Sequence, residues 1–154
     1  MTHIILLAAG FLLIGVAAMF FLSLTAPRPA TLGVHSGRLA EPPGTANCVS
    51  TQTDVRSFWM APLEFTGSPA EAWTRLRHVV SEVPRTKVVT DNGSYMHVEV
   101  TSAVFRFTDD VEFLLEPDAG RIHFRSASRV GRSDLGTNRK RMQRIRDQFL
   151  KQHP

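Results

Sequence analysis

The chain has 154 residues, 18 Lys+Arg against 14 Asp+Glu and a formal charge of +4, the length of one domain rather than two. With 43% hydrophobic and 21% charged residues, it is neither a disordered tail, a collagen-like repeat nor a polytopic membrane protein. Its one cysteine, Cys48, excludes an intrachain disulfide and a cysteine-rich zinc site.

After a three-residue start (1–3), Ile4 to Leu24 run for 21 residues without a charge, and at about 1.5 Å per helical residue that length matches a hydrocarbon core of about 30 Å. A cleaved signal peptide has a shorter apolar core and a basic start, whereas only Met1, Thr2 and His3 precede this run, and its best small-residue site, Ala26, is followed by Pro27. No polar stripe gives the run a second face, so it does not read as a helix of the folded domain. The segment is expected to be a single-pass anchor. Arg28 and Arg38 behind it weakly favour a cytoplasmic domain by the positive-inside bias.

Residues 25–47 hold Pro27, Pro29, Pro42 and Pro43 among several glycines and read as a stiff linker that holds the domain, residues 48–154, off the bilayer. In Phe58 to Leu63, Pro62 demotes an apolar stretch to an edge strand or an extended lead-in. Ser68-Pro69-Ala70-Glu71 has the form of a helix start, with Ser68 as cap, Pro69 in first position and Glu71 able to reach back. Ala72, Trp73, Leu76, Val79, Val80 and Val83 then form one helical face that ends before Pro84.

Strands follow. Thr86–Thr90 and Met96–Val100 flank an Asn92-Gly93 hairpin signal; residues 104–107 continue in strand style; Val111, Phe113 and Leu115 alternate with acidic and apolar neighbours up to a turn at Pro117–Gly120. If Glu116 and Arg121 flank that turn, Phe113 lies opposite Phe124 and Glu112 opposite Arg125. A last helix, capped near Asp134, is expected to bury Leu135, Met142, Ile145 and Phe149, with Arg139, Lys140, Arg141, Arg144, Arg146 and Lys151 on its other faces. The predicted fold is α+β: a two-layer sandwich of four to five antiparallel strands with two helices on one face, helix-grip in style, behind one transmembrane helix.

Charge is uneven. Residues 129–154 carry eight Lys/Arg and two Asp/Glu, so the final helix either is a solvated basic face or meets an acidic protein or anionic lipid. It lacks interleaved aromatics, so nucleic acid is not an expected partner. Asp109, Asp110 and Glu112 supply three carboxylates; alternation places Asp110 and Glu112 on one face and Asp109 on the other. With Arg106 nearby and Arg125 opposite Glu112, they read as an ion-pair network ahead of a catalytic group. His3, His35, His78, His97, His123 and His153 show no metal-ligand spacing, although His97 and His123 can face one another across strands. No nucleophile elbow frames Ser50, Ser126, Ser128 or Ser133, and Gly131–Gly136 lacks the phosphate-loop ending. No catalytic residue, metal or cofactor is expected. Cys48 reads either as a small buried hydrophobe or as a reactive thiol.

Leu32-Gly33-Val34, Gly37-Arg38-Leu39, Asn47-Cys48-Val49-Ser50, Phe107–Phe113 and the string Arg125-Ser126-Ala127-Ser128-Arg129-Val130-Gly131-Arg132-Ser133-Asp134-Leu135-Gly136-Thr137-Asn138-Arg139-Lys140-Arg141 together resemble the bacterial and plastid DUF1499 family, over roughly residues 32–150. The family has no established enzymatic activity, so the resemblance implies no particular reaction. Many similar proteins begin with an export signal or an anchor, which implies a domain on the periplasmic side of the cytoplasmic (inner) membrane. Similar proteins often carry a second cysteine six residues before the one in the Asn-Cys-Val-Ser motif, where this chain has Pro42.

Physically, Arg125 and Arg129 can fork onto Asp110 or Glu112, Ser126 and Ser128 can bond the backbone where the strand ends, and Asn138 faces the sheet. Two readings fit these residues: a polar lock between sheet and last helix, or an anion pocket built from Arg125, Arg129, Arg139 and the helix start. The expected function is a membrane-anchored, non-catalytic domain that binds a protein partner or supports assembly. The alternative is a module for a lipid or small anionic ligand, with an enzyme using Asp109, Asp110 or Glu112 behind both.

Overall fold

The computed structural model describes residues 2–152, except the side chains of residues 2, 4–6, 8, 9 and 12; Met1, His153 and Pro154, among them the sixth histidine, lie outside the described residues. The elements in order are α1 (Thr2–Thr25), β1 (Val34–His35), β2 (Arg38–Leu39), β3 (Cys48–Ser50), β4 (Leu63–Glu64), α2 (Pro69–Ser81), β5 (Thr86–Asp91), β6 (Tyr95–Thr101), β7 (Thr108–Glu116), β8 (Arg121–Ser128) and α3 (Thr137–Lys151). The main sheet is antiparallel in the order β3-β8-β7-β6-β5, with β4 also beside β8, and β1 and β2 form a small hairpin.

Apolar alternation sets the sheet's register. Phe113 pairs with Phe124, Glu112 with Arg125 and Glu116 with Arg121, the arrangement in which apolar meets apolar on one face and acid meets base on the other. Gly120 closes the β7–β8 turn at φ 61°, where a Cβ would lie 2.8 Å from the Phe65 carbonyl oxygen; only glycine fits that approach. Residues 104–107 are not a strand. The β6–β7 connection turns there, with Arg106 at φ 55° and the Phe105 and Phe107 rings packed on each other.

Helices α2 and α3 cover one sheet face. Ala72, Trp73, Leu76, Val79 and Val80 from α2 join Met142, Ile145 and Phe149 from α3 in a core with Met96, Val98, Val111, Phe113, Ile122 and Phe124. Ser68 does stand at the N-cap of α2, yet its side chain makes no capping bond; its carbonyl accepts from Ala72 N–H instead. Two expectations for α3 fail. Leu135 is 88% exposed because it precedes the helix in a left-handed conformation, φ 54°, and Arg141 is buried rather than on the solvated face. Asp134 still caps: its carboxylate accepts from Gly136 N–H and Asn138 N–H.

The Pro/Gly-rich segment is laid along the other sheet face. Gly33 N–H donates to Glu112 at 2.7 Å, Arg28 pairs with Glu99 at 2.7 Å, and Leu39 is buried. The physical reason is that Glu99, Asp110 and Glu112 face that side and need donors there. Among the described residues no helix is long and apolar enough to cross a membrane. Helix α1 itself is 24 residues long, its sequence holds no Asp, Glu, Lys or Arg, and described side chains such as Phe11, Leu13, Ile14 and Phe21 are exposed.

Candidate functional site

The period of two along a strand sends neighbouring residues to opposite faces, and this divides the candidate residues into two groups. Arg125 leaves β8 on the face under the N-terminal segment, and Arg129, just past the strand, reaches the same side; Ser126 and Ser128 point to α3.

On the covered face, strands β6, β7 and β8 contribute Tyr95, His97, Glu99, Asp110, Glu112 and Arg125. Arg129 forks onto Asp110, with Nε–Oδ2 at 2.8 Å and an Nη2–Oδ1 contact at 2.7 Å, and also bonds Glu99. His97 Nε2 donates to Asp110 Oδ1 at 2.7 Å, which fixes that ring nitrogen as the protonated one. Burial would raise the Asp110 carboxyl, but the Arg129 fork and His97 hold it below its ordinary value; burial of Glu99 is likewise outweighed by Arg28 and Arg129. Glu112, 0% exposed, accepts from Tyr95 O–H at 2.8 Å, from Gly33 N–H and from Arg125 at 3.3 Å. Burial, followed by the Glu112 charge, pushes the Tyr95 phenol up. Arg125 Nε has no partner. Asp110 and Glu99 are thus held in the ionised form, and all three carboxylates are occupied by donors, a poor arrangement for proton transfer. The expected Arg106 is exposed and makes no ion pair among the described residues; Arg129 and Arg28 do that work.

On the helix face, Asn138 and Ser126 form a buried polar lock. Ser126 O–H donates to Asn138 Oδ1, Asn138 Nδ2 donates to Asn47 O and Ser128 Oγ, each at 3.0 Å, and Arg141 bonds Ser126, Asn138 and Asp109. Asn47 in turn donates to Gly131 O at 2.7 Å. Asp109 thus belongs to this lock and not to the network of Asp110 and Glu112. Sequence reasoning missed the roles of His97, Glu99, Tyr95 and Arg141; strand alternation gave the first three a signal, since all sit at odd positions of β6.

Arg125, Arg129 and Arg139 line no common cavity. Arg139 donates to the carbonyls of Ser57 (2.7 Å) and Trp59 (3.2 Å), tying α3 to the loop after β3. His97 and His123 do not meet, because β7 lies between their strands; His123 instead bonds Glu116 and Thr51. Cys48 is buried and free, and burial pushes its thiol up to about 11, so it is a packed side chain and not an activated nucleophile. Among the described residues no cluster of His, Cys, Asp and Glu fits a metal ion.

At the start of α3 the surface changes character. A cavity of about 170 Å³ is lined by Ala46, Cys48, Ser57, Phe58, Asp134 and Arg139, among others. Next in sequence to its lining residues are exposed Leu135 and half-exposed Trp59, and the nearby Arg132, Arg139 and Lys140 of the same segment are exposed. The Asp134 and Ser133 side chains hold the turn that presents Leu135.

A family described as a protein of unknown function (DUF1499) matches residues 38–149 of the chain, a span that contains both polar clusters, apart from Arg28 and Gly33, and the Leu135 turn. None of the curated proteins matches it.

Proposed function

This chain belongs to the DUF1499 family, and on its geometry we propose that it is a non-catalytic, membrane-anchored envelope domain that docks a protein partner at the start of α3. The observation that carries this reading is Leu135. An isolated leucine held at φ 54° sits in a conformation that costs an L-residue about 1–2 kcal/mol, and it is 88% exposed. Strain at an exposed apolar side chain is accounted for when a partner buries it. The surrounding Arg132, Arg139 and Lys140 specify the partner's chemistry as an apolar socket with an acidic rim. Helix α1 supplies the anchor in this reading. Its sequence, free of Asp, Glu, Lys and Arg, is what supports that role, and the domain is then taken to lie on the periplasmic side.

Site-specific photocrosslinking of the full chain in intact bacterial cells tests both parts. A photoreactive residue at Arg132 should give one discrete adduct, lost in Leu135→Asp, while the same residue at exposed Asp118 gives none; alkaline washing should leave the chain in the membrane pellet. Equal adducts at both positions, or none, would overturn the docking site. Release by the alkaline wash would overturn the anchor.

A further inference from the structure

A second cavity runs along α3, from Thr137 to Lys151. It measures about 490 Å³, within the range of about 300–1,000 Å³ typical of small-ligand sites. Its construction follows from the sequence. Pro84 ends the α2 segment, and Arg85 reverses the chain at φ 58°. Thr101 N–H donates to the Arg85 carbonyl at 3.1 Å, and Arg85 Nε donates to the Thr101 carbonyl at 3.0 Å. This two-bond clasp fixes one wall, and α3 forms the other.

The floor is apolar. Val100 and Ile145, both core residues, lie beneath Val83, Pro84 and Ala103. The rim is cationic: Arg85, Arg144 and Lys151 are exposed, and among the described residues none of the three is within ion-pair distance of a carboxylate. Arg141, also in the lining, is occupied by Asp109. The two rim acids have neighbours of their own, Glu82 beside His78 at 3.7 Å and Asp147 accepting from Gln143 at 2.9 Å. No aromatic side chain lines the groove, so nothing there stacks a nucleobase or a sugar. Arg85 and Arg144 spend their Nε donors on the Thr101 and Lys140 carbonyls, and an apolar floor under three cations with no carboxylate partner among the described residues fits a ligand with a hydrocarbon chain and one anionic head.

We propose that this groove binds a single-chain anionic amphiphile, with its hydrocarbon on Val83, Val100 and Ile145 and its carboxylate or phosphate head on Arg85, Arg144 and Lys151. Its lining includes none of Arg132, Leu135, Arg139 and Lys140, and the proposal does not depend on the docking reading. Fluorescence titration of the full chain in phosphatidylcholine nanodiscs with dansyl-undecanoate, against empty discs, tests it. Saturable binding should be displaced by oleate or lysophosphatidic acid; whichever competes better identifies a carboxylate or a phosphate head. The double variant Arg144→Glu/Lys151→Glu should bind about tenfold more weakly, the scale of lost charge-assisted contacts, with unchanged thermal unfolding. Ala103→Trp, which fills the groove from an exposed loop, should weaken binding comparably. Equal displacement by lysophosphatidylcholine, displacement by inorganic phosphate alone, undiminished binding in both variants, or no binding above empty discs would each overturn the proposal.

Discussion

Arg125 shows how a buried ion pair in this domain is held by geometry more than by energy. It donates once to Glu112, at 3.3 Å, and its Nε is unpartnered, so the guanidinium recovers little of what its desolvation costs. Glu112 is better served, because Tyr95 and Gly33 donate to it as well. Removing the arginine leaves a fully buried carboxylate with neutral donors only. Arg125→Ala should therefore destabilise the domain by about 3–5 kcal/mol, as expected for one partner lost from a buried pair, read as a lower urea midpoint. The double variant Arg125→Met/Glu112→Leu should recover only part of that loss, since apolar replacement of both partners removes the orphaned charge but takes the acceptor from Tyr95 O–H and Gly33 N–H. A single variant within about 1 kcal/mol of the parent would mean that the Arg125–Glu112 contact does not hold this face of the sheet together.

At the scale of elements, Asp91 joins helix to hairpin. Its carboxylate accepts from Arg77 and Trp73 of α2 and from Gly93 in the β5–β6 turn. The Arg77 bond, against some burial and with help from Trp73 and Gly93, holds it down to about 2. Because the folded value lies below the unfolded one of about 3.9, the contribution is complete above that unfolded value and disappears as pH falls toward about 2. Asp91→Asn should flatten the acid limb of stability in that window by most of one proton, measured by urea unfolding at a series of pH values; an unchanged slope would show that the α2–hairpin tie does not depend on the carboxylate. Period and turn chemistry made these elements legible in the sequence: the α2 face, the Asn-Gly hairpin and the Phe113–Phe124 register all arise from local patterns. The strap was not legible. Prolines and glycines in residues 25–47 describe a chain without regular structure, and nothing local says that Gly33 and Arg28 will meet carboxylates some 70 to 80 residues away. Leu135 was misread for a related reason. A helical period extended one turn too far back counts it as core, whereas the Ser133-Asp134 turn starts the helix at Thr137.

For the whole molecule, coverage decides where function can lie. Helices α2 and α3 occupy one face of the sheet, and the N-terminal strap shields the charge network on the other. Two exposed features flank α3: Leu135 just before its start and the cationic groove along its length. If the Leu135 end is a docking surface, its backbone strain exists for the partner and not for the fold, and the two can be separated. Leu135→Gly relieves the left-handed conformation but removes the apolar knob. The gain from relief is about 1–2 kcal/mol, offset by about 0.5–1 kcal/mol of added unfolded-chain freedom. The variant should thus unfold at the same temperature or slightly higher, while the adduct from a photoreactive residue at Arg132 falls at least severalfold. An architectural role for the turn predicts the reverse, a lower melting temperature with the adduct intact. Because stability and partner contact move in opposite directions under the two readings, one substitution distinguishes them.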